Sequence, residues 1–151
     1  MLQLAVPADR EAVNILARQI HDMHVSWRPD IYEMVDELFP EERFLAAIQK
    51  RELYVAKTDG FVISFALLAV RETNMPGLVK RKVMVLDQLC VHEALRGQGI
   101  GTQMAAEIRS LAKAFGCTDI QLSVYPENDA AVAFYQKCGF LIRNINMQMS
   151  V

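Results

Sequence analysis

Residues 91 to 102 read Val-His-Glu-Ala-Leu-Arg-Gly-Gln-Gly-Ile-Gly-Thr, and the rest of the chain is organised around them. Before them, Val83 to Val91 is a mostly apolar run of strand length, rich in β-branched residues, as expected of a buried strand. After them, apolar residues recur at helical spacing, and Gly116 stands where a C-terminal cap belongs. The pattern predicts a strand, a tight turn and a helix. The apolar helix positions are Ile100, Met104, Ile108, Leu111 and Phe115.

The turn itself is suited to an anion. Gly97, Gly99 and Gly101 allow the backbone to turn tightly with its N–H groups pointing inward. The unpaired N–H groups at the helix start and the positive end of its dipole, roughly half a charge, favour a phosphate or pyrophosphate. A glycine-rich connection can equally be a plain tight turn, and neither the dinucleotide fingerprint nor the P-loop ending is matched. The candidate binding residues are Arg96, Gly97, Gln98, Gly99, Ile100, Gly101 and Thr102.

A second pattern follows the next strand, which we predict over Asp119 to Tyr125. From Pro126 to Phe140 the chain reads Pro-Glu-Asn-Asp-Ala-Ala-Val-Ala-Phe-Tyr-Gln-Lys-Cys-Gly-Phe. Asn128 or Asp129 can cap a helix here, and Gly139 can end it.

Together the two patterns, Arg-x-x-Gly-x-Gly and Asn-x-x-Ala-x-x-Phe-Tyr-x-Lys-x-Gly-Phe, resemble the GNAT superfamily of acyl-CoA-dependent N-acyltransferases. The resemblance covers about Val83 to Phe140. It implies an α/β fold with a single mixed, mostly antiparallel central sheet flanked by helices. Parallel strands matching Val83–Val91 and Asp119–Tyr125 would splay apart to form the acyl-CoA cleft. Residues 1–151 would be one N-acetyltransferase domain.

The resemblance also implies roles for particular residues. The backbone of Leu89, Cys90 and Val91 would hydrogen-bond pantetheine, and the pyrophosphate would rest on the turn from Arg96 to Thr102. The thioester end of acetyl-CoA, which is a co-substrate, would be flanked by residues on one side of the later helix, namely Asn128, Ala131, Phe134 and Tyr135.

Direct transfer to an amine needs a base and an acid. A lysine-like amine of pKa about 10.4 costs roughly 4.6 kcal/mol to deprotonate at neutral pH, so a base helps. Asp87 is the only carboxylate inside the Val83–Val91 strand, and it must find water, a partner or a site. Tyr135 matches the family's frequent general acid for the leaving thiolate, although it could be a packed aromatic residue. Cys90 has no identifiable basic partner, so we interpret it as a packed thiol.

Composition excludes several classes of function. The chain of 151 residues is 52% hydrophobic and carries a net charge of −2, which gives no general attraction for nucleic acid. It contains no apolar run of about 18 residues and no secretory signal, so we expect no membrane partner and a cytoplasmic location. Three cysteines agree with a reducing compartment. We predict no metal site; His21 and His24 share a helix face, but capping or solvation explains them better.

The remaining elements are predicted from periodicity and turn residues. The first half should contain a strand over Leu2–Val6, a helix from about Arg10, a short helix over Ile31–Leu38 and another starting at Pro40. A hairpin of Glu52–Lys57 and Phe61–Val70 should follow. We interpret Lys80, Arg81 and Lys82 as a solvated hairpin loop, and Leu141 to Val151 as one further strand or a strand pair.

The acceptor is the least determined part. Six carboxylates crowd the segment between Arg28 and Arg43 and would favour a cationic amine if they faced the cleft, although they can equally form a solvated helical face. We predict acetyl transfer from acetyl-CoA to a primary amine of a small molecule. The alternatives are a protein or peptide N-acetyltransferase, a catalytically weak acyl-CoA-binding regulatory domain, and a nucleotide-binding module of another fold. A homodimer through the C-terminal strands would fit. The carboxylates are Asp30, Glu33, Asp36, Glu37, Glu41 and Glu42.

Overall fold

A computed structural model describes residues 1–151 and shows one mixed sheet with helices on both faces. Its five strands lie in the order β1-β2-β3-β4-β5, and neighbours are antiparallel except for the parallel pair β4 and β5. The predicted fold class is confirmed. The helices are α1 (Arg10–Trp27), α2 (Glu41–Gln49), α3 (Ile100–Ala114) and α4 (Asp129–Lys137), and the strands are β1 (Leu2–Leu4), β2 (Leu53–Thr58), β3 (Phe61–Thr73), β4 (Arg81–Val91) and β5 (Asp119–Gln121).

Each face of the sheet carries its own apolar core. On the first face, α1 and α2 cover the sheet, with three phenylalanine rings packed edge to face: Phe39 lies 6.4 Å from Phe44 and 6.0 Å from Phe65 between ring centroids. On the second face, α3 packs Met104 and Ile108 against the sheet. Burial of these side chains is the main force that holds the layers together. None of the helices is long and apolar enough to cross a membrane.

The segment between α1 and α2 is not the short helix predicted over Ile31–Leu38. It consists of turns and bends. At the C-terminal end of this segment, the Asn14 side chain supplies the hydrogen bonds that a helix would have made. Asn14 Oδ1 accepts from Leu38 N at 3.1 Å and from Phe39 N at 2.8 Å, and Asn14 Nδ2 donates to Phe39 O at 3.0 Å. This long-range side-chain contact fixes the segment, and periodicity in the segment does not reveal it.

Two further expectations were wrong. Arg81 and Lys82 lie inside β4, paired with Thr73 and Glu72, because the longer β3 extends the ladder past the predicted loop. The C-terminal segment, residues 141–151, forms no strand; it has no backbone–backbone hydrogen bond, and its apolar side chains are exposed. An alternating pattern supplies a strand face, but a strand also needs a partner edge.

Candidate functional site

A cleft opens in the sheet because β4 and the chain that follows β5 diverge. Only Val83 to Val85 pair with Asp119 to Gln121. β4 continues to Val91, while Leu122 to Tyr125 leave the ladder, so the strand predicted over Asp119–Tyr125 is three residues long. The predicted splaying of two parallel strands is therefore present, and its polar backbone edges face the gap between them.

The glycine turn, residues 96–102, lies at the mouth of this cleft and presents free donors. The N–H groups of Gly97 through Thr102 donate to no atom of the chain. Gly97 and Gly99 have φ of 78° and 84°, which a residue with a side chain adopts only with strain. No acidic residue lies in the first turn of α3, so the positive end of the helix dipole is uncompensated. Free N–H groups and a positive dipole end are features that an anion can use, and anion binding by this turn remains a prediction.

Gly101 has a packing role in addition. A Cβ placed on it would lie 3.3 Å from two atoms of the Phe134 ring and 3.8 Å from Val91. The absence of a side chain thus lets α4 approach the first turn of α3 and the end of β4. Phe134, which was predicted to flank the thioester, is brought to the glycine turn by this contact.

Arg96 ties the turn to its surroundings. Its Nε donates to the carbonyl of Val91 at 3.1 Å, and its Nη2 donates to Gln19 Oε1 at 3.3 Å. The side chain therefore anchors the turn to β4 and to α1. Contact with a phosphate remains a prediction for this residue.

Alternate residues of β4 direct their backbone N–H and C=O groups towards the cleft. His92 N donates to Ile63 O at 2.9 Å, so by strand alternation Cys90 also directs its N–H and C=O towards β3, and Ser64 Oγ donates to the Cys90 carbonyl at 2.6 Å. Leu89 and Val91 then direct theirs into the cleft. Of the three residues predicted to contact pantetheine, these two have the required orientation, and the Val91 carbonyl already accepts a hydrogen bond from Arg96 Nε.

Cys90 behaves as a packed thiol. Its side chain is buried, and Sγ donates to the carbonyl of Leu16 at 3.2 Å. Burial raises the pKa of the thiol to about 11, although the nearby Arg96 opposes the rise. A neutral thiol is a poor nucleophile, and the structure gives Cys90 no base.

Asp87 occupies a β-bulge. Leu67 pairs with Gln88 and Leu68 pairs with Leu86, so Asp87 has no partner in β3. Since Leu86 packs in the core beneath α3, strand alternation places Asp87 on the opposite face, which is the face of α1, and the bulge keeps Gln88 there as well. The carboxylate is exposed and makes no ion pair. It is therefore accessible to water and to a substrate.

Tyr135 approaches from the other face. It packs against the core beneath α3, and its ring lies 5.1 Å from that of Phe134 and 5.5 Å from that of Phe140. Burial raises its pKa to about 12, so the hydroxyl carries its proton at any physiological pH. The candidate acid and the candidate base thus lie on opposite faces of the sheet.

Asn128 begins α4, as predicted. Its Oδ1 accepts a hydrogen bond from Ala131 N at 3.2 Å, which satisfies one of the free donors at the helix start. Gly139, with φ of 95°, ends the helix. These contacts orient the side of α4 that carries Ala131, Phe134 and Tyr135.

An aromatic cluster, formed by His24, Tyr32 and Tyr125, was not predicted. The His24 ring stacks on Tyr32 at 5.1 Å and meets Tyr125 at 5.6 Å, and the two tyrosine hydroxyls are 3.0 Å apart. Burial, and then repulsion by His21, lowers the pKa of His24. The cluster joins α1 to the chain that leaves β5, on the same face as Asp87. The spacing of His21 and His24 on one helix face was the only sequence signal.

Two of the six carboxylates in the predicted acidic cluster form ion pairs with arginines. Arg28 donates to both oxygens of Asp30, at 2.9 and 2.6 Å, and Arg10 forms an ion pair with Glu37. Glu41 and Glu42 occupy the first turn of α2, where the helix dipole favours them. The six carboxylates therefore do not converge on a single acceptor pocket.

One acidic side chain keeps a distinct position. Glu33 lines an open depression of about 370 Å³ next to the aromatic cluster, together with His21, Ile31, Tyr32, Val35, Glu37, Leu38, Pro40 and Arg43. Its backbone carbonyl lies 2.7 Å from His21 Nε2. Nowhere in the structure do three or more His, Cys, Asp or Glu side chains gather as metal ligands would.

Comparison with known proteins agrees with this geometry. The chain superposes on the F44R mutant of the BH1408 protein from Bacillus halodurans with a TM-score of 0.95 and 30% identity, over 100% of this chain and 99% of that one. It is 38% identical over 87 residues to the spermine/spermidine N(1)-acetyltransferase of Bacillus subtilis, which is 54% of each chain. It is 33% identical over 66 residues to a probable glucosamine 6-phosphate N-acetyltransferase of rice (Oryza sativa subsp. japonica), covering 44% of this chain.

The matched part spans about half, 54%, of the spermine/spermidine enzyme and 38% of the rice protein. A family model described as acetyltransferase (GNAT) matches residues 18–140, which include the glycine turn, the diverging strands and α4. The match extends well beyond the half of the chain that carries the two sequence motifs. The chain therefore belongs to the acetyltransferase (GNAT) family.

Proposed function

We propose that this protein is an N-acetyltransferase of one domain, residues 1–151, that transfers an acetyl group from acetyl-CoA directly to a primary amine of a small molecule. The observation that carries the proposal is the cleft between β4 and residues 122–125. It has free backbone donors at its mouth, a protonated phenol on one face of the sheet and a free carboxylate on the other.

Acetyl-CoA fits the donors present. Its pyrophosphate would accept hydrogen bonds from the N–H groups of the glycine turn, which donate to no atom of the chain. Its pantetheine arm would pair with the outward backbone groups of Leu89 and with the N–H group of Val91, in the place of a missing strand. When bound, the co-substrate supplies an acetyl group activated as a thioester.

The chain's own residues handle the protons. The amine nitrogen forms a bond to the acetyl carbon as the carbon–sulfur bond breaks, and the amine loses one proton while the sulfur gains one. Asp87 accepts the amine proton, directly or through water, and the Tyr135 hydroxyl donates to the sulfur. Since the two groups reach the cleft from opposite faces, the amine enters from the α1 face and the thioester from the α3 face.

The acceptor would enter beside the aromatic cluster. His24, Tyr32 and Tyr125 lie on the α1 face, and their rings offer surfaces on which an alkylamine or a sugar amine can pack. The Bacillus subtilis relative is named for polyamines and the rice relative for an amino sugar phosphate, which supports a small-molecule amine. Glu33 is the carboxylate best placed to favour a cationic acceptor.

The proposal is tested by thermal unfolding with acetyl-CoA, CoA, ATP and NAD, followed by thiol release with a panel of amines that includes spermidine, glucosamine 6-phosphate and a lysine peptide. A ligand at 100 times its dissociation constant should stabilise the native state by about 2.7 kcal/mol. We expect stabilisation by acetyl-CoA and CoA, and thiol release with a small amine. Peptide-only turnover would indicate a protein acetyltransferase. Binding without any turnover would indicate a regulatory domain, and preference for ATP or NAD would overturn the proposal.

We also infer a homodimer formed through the C-terminal segment, residues 141–151. Ile145, Met147 and Met149 are exposed and alternate with polar residues, and the segment's backbone groups make no backbone–backbone hydrogen bond. Two copies of such a strand can pair antiparallel about a two-fold axis, because each then supplies the edge and the apolar face that the other lacks.

Light scattering tests the dimer. The double substitution Ile145→Asn and Met147→Asn should give monomers, while Asn144→Ser and Asn146→Ser, on the polar side, should leave the mass unchanged. A monomeric wild type would contradict the dimer and leave the proposed enzyme intact.

The three free cysteines support a cytoplasmic location as part of the same proposal.

A further inference from the structure

A second pocket lies at the opposite end of the sheet from the cleft. It has a volume of about 200 Å³, and we call it the distal pocket. The glycine turn is at the start of α3, whereas Phe115 in this pocket follows its end, so the 15 residues of the helix separate the two by about 22 Å. The floor is formed by Tyr54, Leu68, Val70, Met84 and Phe115, and the rim by Lys50, Arg51, Glu52 and Lys82.

The floor contains a buried polar group without a partner. Tyr54 is only 5% exposed, and its hydroxyl proton has no acceptor in the chain. A buried hydroxyl is nearly always bonded, because leaving it unpaired forfeits the hydrogen bonds that it made with water. The residue is paired on both sides within the sheet, with Leu4 and Ala66, so its ring cannot turn outward to reach solvent. The hydroxyl therefore offers a hydrogen-bond donor at the pocket floor, which an acceptor on a ligand can satisfy.

The rim supplies an excess of positive charge. Lys50 and Arg51 form no ion pair, and Lys82 Nζ lies 3.8 Å from the exposed Glu72 carboxylate, which is a weak contact. Against these three cations the rim has one carboxylate, that of Glu52. Arg51 is near enough to the Tyr54 hydroxyl to oppose the rise in its pKa that burial causes. An anion at the floor would meet both groups.

Arg51 stands where a helix end prefers glycine. It has φ of 59° and follows α2, with Arg51 N donating to Ile48 O and Glu52 N to Ala47 O, each at 2.9 Å. Glycine would adopt this conformation without strain. The fold alone thus gives no reason for a long cationic side chain at this position.

We propose that the distal pocket binds a small organic carboxylate with an apolar body. The apolar body would pack on Leu68, Met84 and Phe115, and the carboxylate would accept a hydrogen bond from the Tyr54 hydroxyl and pair with Arg51 and Lys82. The combination of a buried donor, an apolar floor and a cationic rim distinguishes this ligand from a neutral molecule and from an inorganic anion.

Calorimetric titration of the full chain with benzoate tests the proposal, with benzyl alcohol and inorganic phosphate as comparison ligands. Benzoate should bind saturably, at least about tenfold more tightly than either comparison ligand, since each lacks one half of the interaction. Saturating acetyl-CoA should leave the benzoate affinity unchanged. Absence of saturable benzoate binding, equal binding of a comparison ligand, or competition with acetyl-CoA would overturn the proposal.

Two substitutions separate binding from folding. Tyr54→Phe removes the unpaired hydroxyl, and Arg51→Gly removes the strain and the charge, so both should raise the melting temperature while weakening benzoate binding about tenfold. Asp59→Gly is the matched control, because Asp59 is the other non-glycine residue with positive φ, at 50°, and lies outside the pocket. Lys137→Gln controls for net charge. Unchanged benzoate affinity in Tyr54→Phe and Arg51→Gly would contradict the site.

Discussion

The glycine turn and the aromatic cluster, the two proposed substrate-binding regions, are built in different ways. The glycine turn consists of consecutive residues, and its active groups are backbone N–H groups. The aromatic cluster brings together His24, Tyr32 and Tyr125 from three separate parts of the chain, and its active groups are side chains. The first could serve any acyl-CoA, whereas the second would distinguish one amine from another.

Because of this difference, the proposed binding of acetyl-CoA and the proposed binding of the amine depend on different kinds of contact. Backbone donors hold a phosphate whatever the neighbouring side chains are, so the turn tolerates sequence change outside its glycines. Side-chain contacts change with every substitution, so the aromatic cluster can be retuned without loss of the cofactor site. Substitutions in the two regions should therefore affect different kinetic constants.

The substitution Tyr135→Phe should have the largest effect on turnover. Tyr135 belongs to neither the glycine turn nor the aromatic cluster. Loss of the proton donor should lower kcat by 10²-fold or more while leaving the affinity for acetyl-CoA unchanged, because the ring packing is retained. Steady-state kinetics and calorimetry measure the two quantities. Gln136→Ala, at the next and exposed position of α4, is the control and should retain full activity. Equal turnover in Tyr135→Phe would remove the general acid from the proposal.

Gly99→Ala tests the glycine turn. A side chain at φ of 84° costs about 1–2 kcal/mol of stability and turns the N–H groups away from the phosphate, so the affinity for CoA should also fall. Gly116→Ala is matched to it, since Gly116 has φ of 72° just beyond the other end of α3. It should show a similar loss of unfolding free energy in urea without a loss of CoA affinity. A parallel loss of affinity in both variants would mean that the turn acts only through stability.

Tyr125→Phe tests the aromatic cluster. The hydrogen bond between the Tyr125 and Tyr32 hydroxyls, worth about 1 kcal/mol, holds together the rings on which the amine would pack. Its loss should loosen that surface and raise KM for the amine by up to about fivefold while leaving KM for acetyl-CoA unchanged. Tyr32→Phe should have the same effect, and the double variant should be no worse than either single one. A change in KM for acetyl-CoA instead would contradict the proposal that the aromatic cluster binds only the amine and the glycine turn only acetyl-CoA.

The smallest expected effect concerns His24 and pH. Burial lowers the pKa of His24, so the folded state loses protons at a lower pH than the unfolded chain does. The stability associated with neutral His24 is therefore complete above the unfolded pKa of about 6.5 and is lost as the pH falls through the lower folded value. Urea unfolding at pH 7.5 and pH 5.5 should show a larger loss for the wild type than for His24→Gln. An equal loss would show that other groups carry the acid sensitivity.

The stretch from Val83 to Phe140 could be predicted closely from the sequence. The glycines at 97, 99 and 101, the buried stripe of α3 and the Asn128 cap are all local patterns, in which each residue's role depends on neighbours within a few positions. The first half was harder. The segment from Ile31 to Leu38 has the composition of a helix, but Asn14, more than twenty residues earlier, bonds its end and holds it in turns.

The sequence alone indicated the family, through the resemblance of its two motifs, and determined the order of most elements and the tight glycine turn, because element order and turns depend on backbone conformation and short-range periodicity. Only the tertiary structure showed that Asp87 lies in a β-bulge on the face opposite Tyr135, that Arg28 and Arg10 pair with Asp30 and Glu37, and that the buried Tyr54 hydroxyl donates to no atom of the chain. These features depend on which distant side chains meet across the sheet. Such meetings are set by packing of the whole chain, and no local pattern records them.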